Sequence, residues 1–166
     1  MTSDDYFGKA NLLTQQKNYK DALLMYEKAL ELCKQNHQCC ALLSQMIICR
    51  YNMDGNKKYM DSCLSRIDAI TNSCKIANDY NSYILCKKST IDSLYVIIED
   101  DDYAGIKDFA QKFFALMEDF LKYEKFLMEQ IRVHFSGNEL LTKSYWFCKQ
   151  NSFTPTSFAV RDFFEN

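Results

Sequence analysis

The chain has very few residues that interrupt regular backbone structure. Its 166 residues include four glycines and one proline, so there are few positions at which a helix has to end. It also lacks the long apolar run that a membrane-spanning helix needs. Positive charge is not gathered into a stripe, and the formal net charge is -2. We therefore expect neither nucleic acid nor an anionic membrane as a partner.

Apolar residues make up 48% of the chain and recur at spacings of three and four, which predicts an all-α fold with a substantial core. The spacing predicts helices over residues 4–16, 19–34, 38–52, 57–72, 75–98 and 103–135, then a short helix over 139–149 and a last turn after Pro155. We expect residues 1–135 to form a helical repeat domain. Residues 136–166 are expected to add helices that cap the same domain.

The segment 5–33 has small and large side chains at regular helical positions. They are Tyr6, Ala10 and Leu13 on a first helix, and Tyr19, Ala22, Tyr26 and Ala29 on a second. Small residues let two helix backbones approach closely while the large neighbours fill the space around them. The segment therefore predicts two antiparallel helices joined by a short turn.

These seven positions resemble a tetratricopeptide repeat, although Ala10 stands where the family has glycine and Lys34 where it has proline. The turn at Tyr19 is echoed at Tyr59 and Tyr103, at spacings of 40 and 44 residues. The family repeat is shorter, at about 34 residues. The resemblance therefore implies an irregular solenoid of about three αα-hairpins with a C-terminal helical cap.

The resemblance also implies a function, because such repeats bind partner peptides or helices in a groove lined by their first helices and rarely carry chemistry. Its groove-facing positions correspond here to Asp4, Phe7, Asn11, Thr14 and Gln15 in the first hairpin, and to Ser44 in the second. Phe7 stands where chaperone-binding members have a lysine that clamps a terminal carboxylate, so that ligand is disfavoured. An apolar segment or an amphipathic helix is the expected partner.

Three consecutive aromatic residues near the C-terminus, Tyr145, Trp146 and Phe147, cannot all face one core from a single helix. Tyr145 and Trp146 are therefore further candidates for partner binding. The alternative is that they cap the open end of the stack.

Metal-capable side chains are most concentrated at Cys33, His37, Cys39 and Cys40. This cluster straddles a predicted turn and has no Cys-x-x-Cys pair, so we predict no metal and no cofactor. Phosphate-binding loops and nucleophile motifs are lacking, and we expect no enzyme activity. Eight cysteines at mostly apolar positions, without a secretory signal, indicate a reducing compartment, either the cytosol or the nucleus.

The sequence is interpreted as a non-catalytic protein-interaction adaptor or a subunit of a multiprotein complex. One alternative is a small-molecule-responsive or metal-responsive helical regulator with a pocket lined by cysteines and aromatic residues. In another, the aromatic tail joins two copies of the chain as a homodimer.

Overall fold

A computed structural model describes residues 1–97, except the side chain of Tyr95. Beyond them it describes Thr142, Tyr145, Trp146, Lys149, Gln150 and Glu165. The chain divides into two compact units, Met1–Ile97 and Ile98–Asn166. The predicted helix over 103–135, which is the second helix of the third predicted hairpin, and the boundary after residue 135 lie outside the described residues.

Within residues 1–97 the fold is all-helical, as predicted. The five helices are α1 (Ser3–Gln15), α2 (Tyr19–Leu32), α3 (Asn36–Met53), α4 (Lys57–Ile76) and α5 (Tyr80–Ile97). Each begins within about five residues of its predicted start. None of the helices in the described part of the chain is long and apolar enough to cross a membrane.

Short polar side chains fix the starts of three of these helices. Thr2 and Asp5 form a reciprocal capping box at α1, in which the Thr2 hydroxyl accepts from the Asp5 backbone N–H. The side chains of Asn18 and Asn56 accept backbone N–H groups at the starts of α2 and α4. These bonds satisfy donors that lack partners within a helix, and they explain why the helices begin where they do.

The turn between α4 and α5 corrects the predicted boundary, which ended one helix at Asn72 and began the next at Lys75. Helix α4 instead continues through Cys74, which is buried, to Ile76. It stops because Asn78 adopts a left-handed conformation with φ of 57°. The following N–H, from Asp79, then bonds back to the Cys74 carbonyl at 2.9 Å. Asparagine tolerates this conformation better than most residues do, so it serves here as the stop signal.

Helix α3 is the centre of the described core and packs against α2, α4 and α5. Cys40, Leu43, Ile47 and Cys49 are completely buried along its length. Buried positions occur around most of its circumference. A helix that is apolar on several faces must be surrounded by others, which is the position that α3 occupies.

Small residues form the contact between α1 and α2, as the sequence predicts. Ala10 on α1 and Ala22 and Ala29 on α2 all have 0% exposure, and so does Tyr26 between them. The Ser3 hydroxyl of α1 also donates to the Ala29 carbonyl oxygen of α2 at 2.8 Å. A side-chain-to-carbonyl bond of this kind requires the two backbones to lie close together.

The predicted register between α2 and α4 is wrong by one residue. Aligning Tyr59 with Tyr19 pairs Ala69 with Ala29, yet Ala69 is exposed while Ala29 is buried. The buried positions Cys63, Ile67 and Cys74 instead follow the spacing of Ala22, Tyr26 and Cys33 at an offset of 41 residues. The buried positions of α4 thus have the same spacing as those of α2, but they are shifted by one residue relative to the turn tyrosines.

We predict that Ala22→Arg destabilises the domain by at least about 3 kcal/mol, because it places a charge in the tightest contact between α1 and α2. Ala69→Arg is the matched control on the exposed face of α4, and it should change the free energy of unfolding by less than about 0.5 kcal/mol. Urea denaturation followed by circular dichroism compares the two. Equal midpoints for Ala22→Arg and wild type would contradict the packing described here.

Candidate functional site

A cleft of about 150 Å³ lies between α1 and α3. It is lined by Ser3, Asp4 and Phe7 of α1 and by Gln38, Ala41 and Leu42 of α3. Its apolar lining comes from Phe7, Ala41 and Leu42, and the remaining three side chains are polar. The structure thus places two of the groove positions implied by the resemblance, Asp4 and Phe7, in a concave surface.

Phe7 is held in the cleft by the core residue beneath it. Its ring centroid lies 6.0 Å from that of Tyr26, with the two planes inclined at 53°. Aromatic pairs at this separation and tilt attract each other beyond the effect of burial alone. Tyr26 is fully buried, so it provides a fixed support for the half-buried Phe7.

Asn11 and Thr14 belong to a polar network that joins α1, α2 and α3. The Tyr26 hydroxyl donates to Asn11 Oδ1 at 2.7 Å and lies 3.2 Å from Thr14 Oγ1. Thr14 also donates to the Ala10 carbonyl at 2.9 Å and lies 3.4 Å from Cys49 Sγ of α3. Tyr26 thereby orients the Asn11 carboxamide, whose NH₂ group makes no hydrogen bond within residues 1–97.

Ser44 lies inside the core and not on a groove surface. Its exposure is 3%, and the Ser93 hydroxyl of α5 hydrogen-bonds Ser44 Oγ at 2.9 Å. A partner would have to separate α3 from α5 in order to reach it. We therefore leave Ser44 out of the candidate surface. The spacing of three and four along α3 predicts an inward position correctly, but it does not tell a groove from a helix interface.

The other sequence candidates lie elsewhere. Gln15, at the end of α1, is exposed. In the second unit, Tyr145 is fully buried while Trp146 is 41% exposed, and their rings meet edge to face with centroids 5.4 Å apart. The Lys149 ammonium lies 5.1 Å from the Trp146 ring centroid and forms an ion pair with Glu165. Neighbouring aromatic residues thus have opposite surroundings, as expected for consecutive positions of one helix.

The cysteines do not form a metal centre in the part of the chain that the structure describes, where no group of three metal-capable side chains is found. Burial, together with the neighbouring Cys33, raises the pKa of Cys39 to about 12. Burial also raises the pKa of Cys49, Cys63 and Cys74. These thiols stay protonated at neutral pH, and thiols are weaker nucleophiles and ligands than thiolates.

No family model, curated protein or solved structure matches the chain. The case for a function therefore depends on the α1–α3 cleft and the network beneath it. Gln38, Ala41 and Leu42 were not predicted as site residues from the sequence. An exposed Ala41 beside the polar Gln38 is the signal that could have identified them, because a small residue on a helix surface leaves room for an incoming side chain.

We predict that Tyr26→Phe lowers the free energy of unfolding by about 1–2 kcal/mol, because it deprives Asn11 and Thr14 of a buried hydrogen-bond partner. Tyr19→Phe is a suitable control, since the Tyr19 hydroxyl makes no hydrogen bond within residues 1–97. It should cost less than about 0.5 kcal/mol. Urea unfolding of both variants tests the network, and equal losses would contradict it.

We also predict that stability falls as the pH rises above about 9. Unfolded cysteines ionise near that pH, whereas folded Cys39 keeps its proton up to pH about 12. Between these values the unfolded state binds fewer protons, so the free energy of unfolding decreases with pH. Urea unfolding at neutral and alkaline pH, in a phosphine reductant, measures the decline. Cys39→Ala should show a shallower decline than wild type, and identical slopes would contradict the assignment.

Proposed function

We propose that this protein is a non-catalytic protein-interaction adaptor or complex subunit built on a tetratricopeptide-like helical repeat. Its α1–α3 cleft binds an apolar peptide segment or an amphipathic helix of a partner. The observation that carries the proposal is the cleft itself, because a concave apolar surface with a few fixed polar groups is the usual form of a binding site.

The helix connections support the repeat interpretation. Three residues separate α1 from α2, and three separate α3 from α4. Both pairs pack together, and α2 also packs on α3, so successive pairs are in contact. In a repeat fold each pair buries its apolar face against the next. In the first pair the contact is made by the buried Ala10, Ala22 and Ala29, which are three of the seven positions that resemble the family.

The residues in and beside the cleft suit a partner segment that is apolar and has a carbonyl oxygen free to accept a hydrogen bond. Phe7 and Ala41 offer apolar contact area, and the Phe7 ring packs on the buried Tyr26 ring. A side chain that is already fixed loses little entropy on binding. On the same helix, the oriented Asn11 NH₂ group can donate to a carbonyl oxygen of the partner.

The seven cysteines in the described residues are free thiols. Thiols stay reduced in the cytosol and the nucleus, so these free thiols support our proposal that the protein works in one of those compartments.

The cleft can be tested with a photo-cross-linking amino acid at Gln38, applied in native extract and read by mass spectrometry. We expect cross-links to a discrete partner. Ala41→Lys should reduce them at least about fivefold, because it puts a long charged side chain into the cleft at an exposed position that tolerates it.

Ala69→Lys introduces the same side chain at an exposed position of α4 outside the cleft, and it should leave the cross-links unchanged. Both variants should melt within a few degrees of wild type. If Ala41→Lys cross-links as strongly as Ala69→Lys, the cleft is not the binding surface.

A further inference from the structure

A second and larger cleft, of about 330 Å³, lies between α2 and α4. Its lining includes Glu27, Leu30 and Glu31 of α2, Met46 of α3, and Tyr59 and Arg66 of α4. It shares no residue with the α1–α3 cleft. Three charged side chains line it, whereas the α1–α3 cleft has one, Asp4.

Two carboxylates stand side by side on the α2 wall. Glu27 and Glu31 lie one helical turn apart, and neither has an ion pair or hydrogen bond within the described residues. Like charges at this spacing repel each other. Other carboxylates of the domain are neutralised at the same spacing, as in the pairs Arg50–Asp54, Lys57–Asp61 and Lys88–Asp92.

Tyr59 lines the same cleft as Glu27. Burial raises the pKa of Tyr59, and the neighbouring Cys63 and Glu27 raise it further. The opposite effect comes from Arg50, whose guanidinium carbon lies 4.8 Å from the Tyr59 ring centroid. The Tyr59 hydroxyl is buried and has no hydrogen-bond partner within the described residues.

Arg66 stands on the α4 wall, and it too forms no ion pair within the described residues. Three side chains with a net charge of -1 thus line one concave surface without pairing with one another. The apolar base between them comes from Leu30 and Met46. An occupant that complements this lining needs a cationic head and an apolar stem.

We propose that the α2–α4 cleft binds an arginine side chain of a partner protein. The guanidinium lies between Glu27 and Glu31, and its methylene stem lies on Leu30 and Met46. Arginine suits this wall better than lysine because its planar group donates several hydrogen bonds in fixed directions and can engage two carboxylates at once. Arg66 opposes this cation, so it selects for a partner segment that carries an acidic residue beside the arginine.

The probe for this proposal is the peptide acetyl-Leu-Arg-Leu-amide, titrated into the full-length ¹⁵N-labelled protein at low ionic strength. We expect progressive amide shifts centred on Glu27, Glu31 and Tyr59. Glu27→Gln and Glu31→Gln should each weaken binding about threefold to fivefold, as loss of one exposed ion pair implies. Arg66→Gln should tighten it about twofold, because it removes the competing cation.

Asp68→Asn is the matched control, since it removes a carboxylate from an exposed position of α4 outside the cleft. It should leave the affinity within about twofold of wild type. Ala41→Lys, which blocks the α1–α3 cleft, should also leave the affinity for the peptide unchanged. A negative result with the peptide is therefore separate from a failure of the proposed adaptor function.

Three outcomes would overturn the proposal. The first is an absence of shifts in the cleft at peptide concentrations that shift other amides. The second is equal or tighter binding of acetyl-Leu-Glu-Leu-amide, which would make Arg66 the anchor and the occupant acidic. The third is unchanged affinity in the Glu27→Gln, Glu31→Gln double variant when circular dichroism shows that it is folded.

Discussion

The close approach of α1 to α2 is the constraint on which the described surface depends. It requires side chains no larger than those of Ala10, Ala22 and Ala29, all fully buried. With the two backbones close together, Tyr26 reaches across α1 and donates to Asn11. Thr14 extends the same network to α3. The small residues thus do more than fill space, because they bring polar groups within bonding distance and fix the side chains beside the α1–α3 cleft.

The two clefts follow from which helices share a neighbour. This helix is buried around most of its circumference and packs against α2, α4 and α5. Helices α2 and α4 both pack on α3, and helices α1 and α3 both pack on α2. Cylinders that share one neighbour leave grooves between themselves. One groove runs between α1 and α3 and the other between α2 and α4. Their chemistry differs because the outward residues of α2 and α4 carry charge, whereas Phe7 and Ala41 do not.

The sequence predicts well where the helices lie in the chain, but it predicts poorly which helices pack against each other. Particular residues show why. Periodic apolar spacing identifies which face of a helix turns inward, so the burial of Ala22 and Ala29 follows from it. The same spacing made Ser44 look like a groove residue, since it cannot tell which helix covers a face. The Tyr19–Tyr59 alignment failed for a related reason. Turn residues indicate where a helix starts, whereas the helix that packs against it determines which residues are buried. In α4 the buried positions lie one residue later than the alignment of the turns predicts.

The thiols and hydroxyls of the core serve the packing of the helices. Burial holds the thiols of Cys39, Cys49, Cys63 and Cys74 protonated at neutral pH. The hydroxyls of Tyr26, Thr14, Ser44 and Ser93 are used in bonds between helices. A protonated thiol or a fully bonded hydroxyl has little tendency to attack a substrate. The same bonds stiffen the framework, and a stiff framework would lose little entropy in the partner binding that we propose. These thiols and hydroxyls are thus committed to the contacts that hold the helices together.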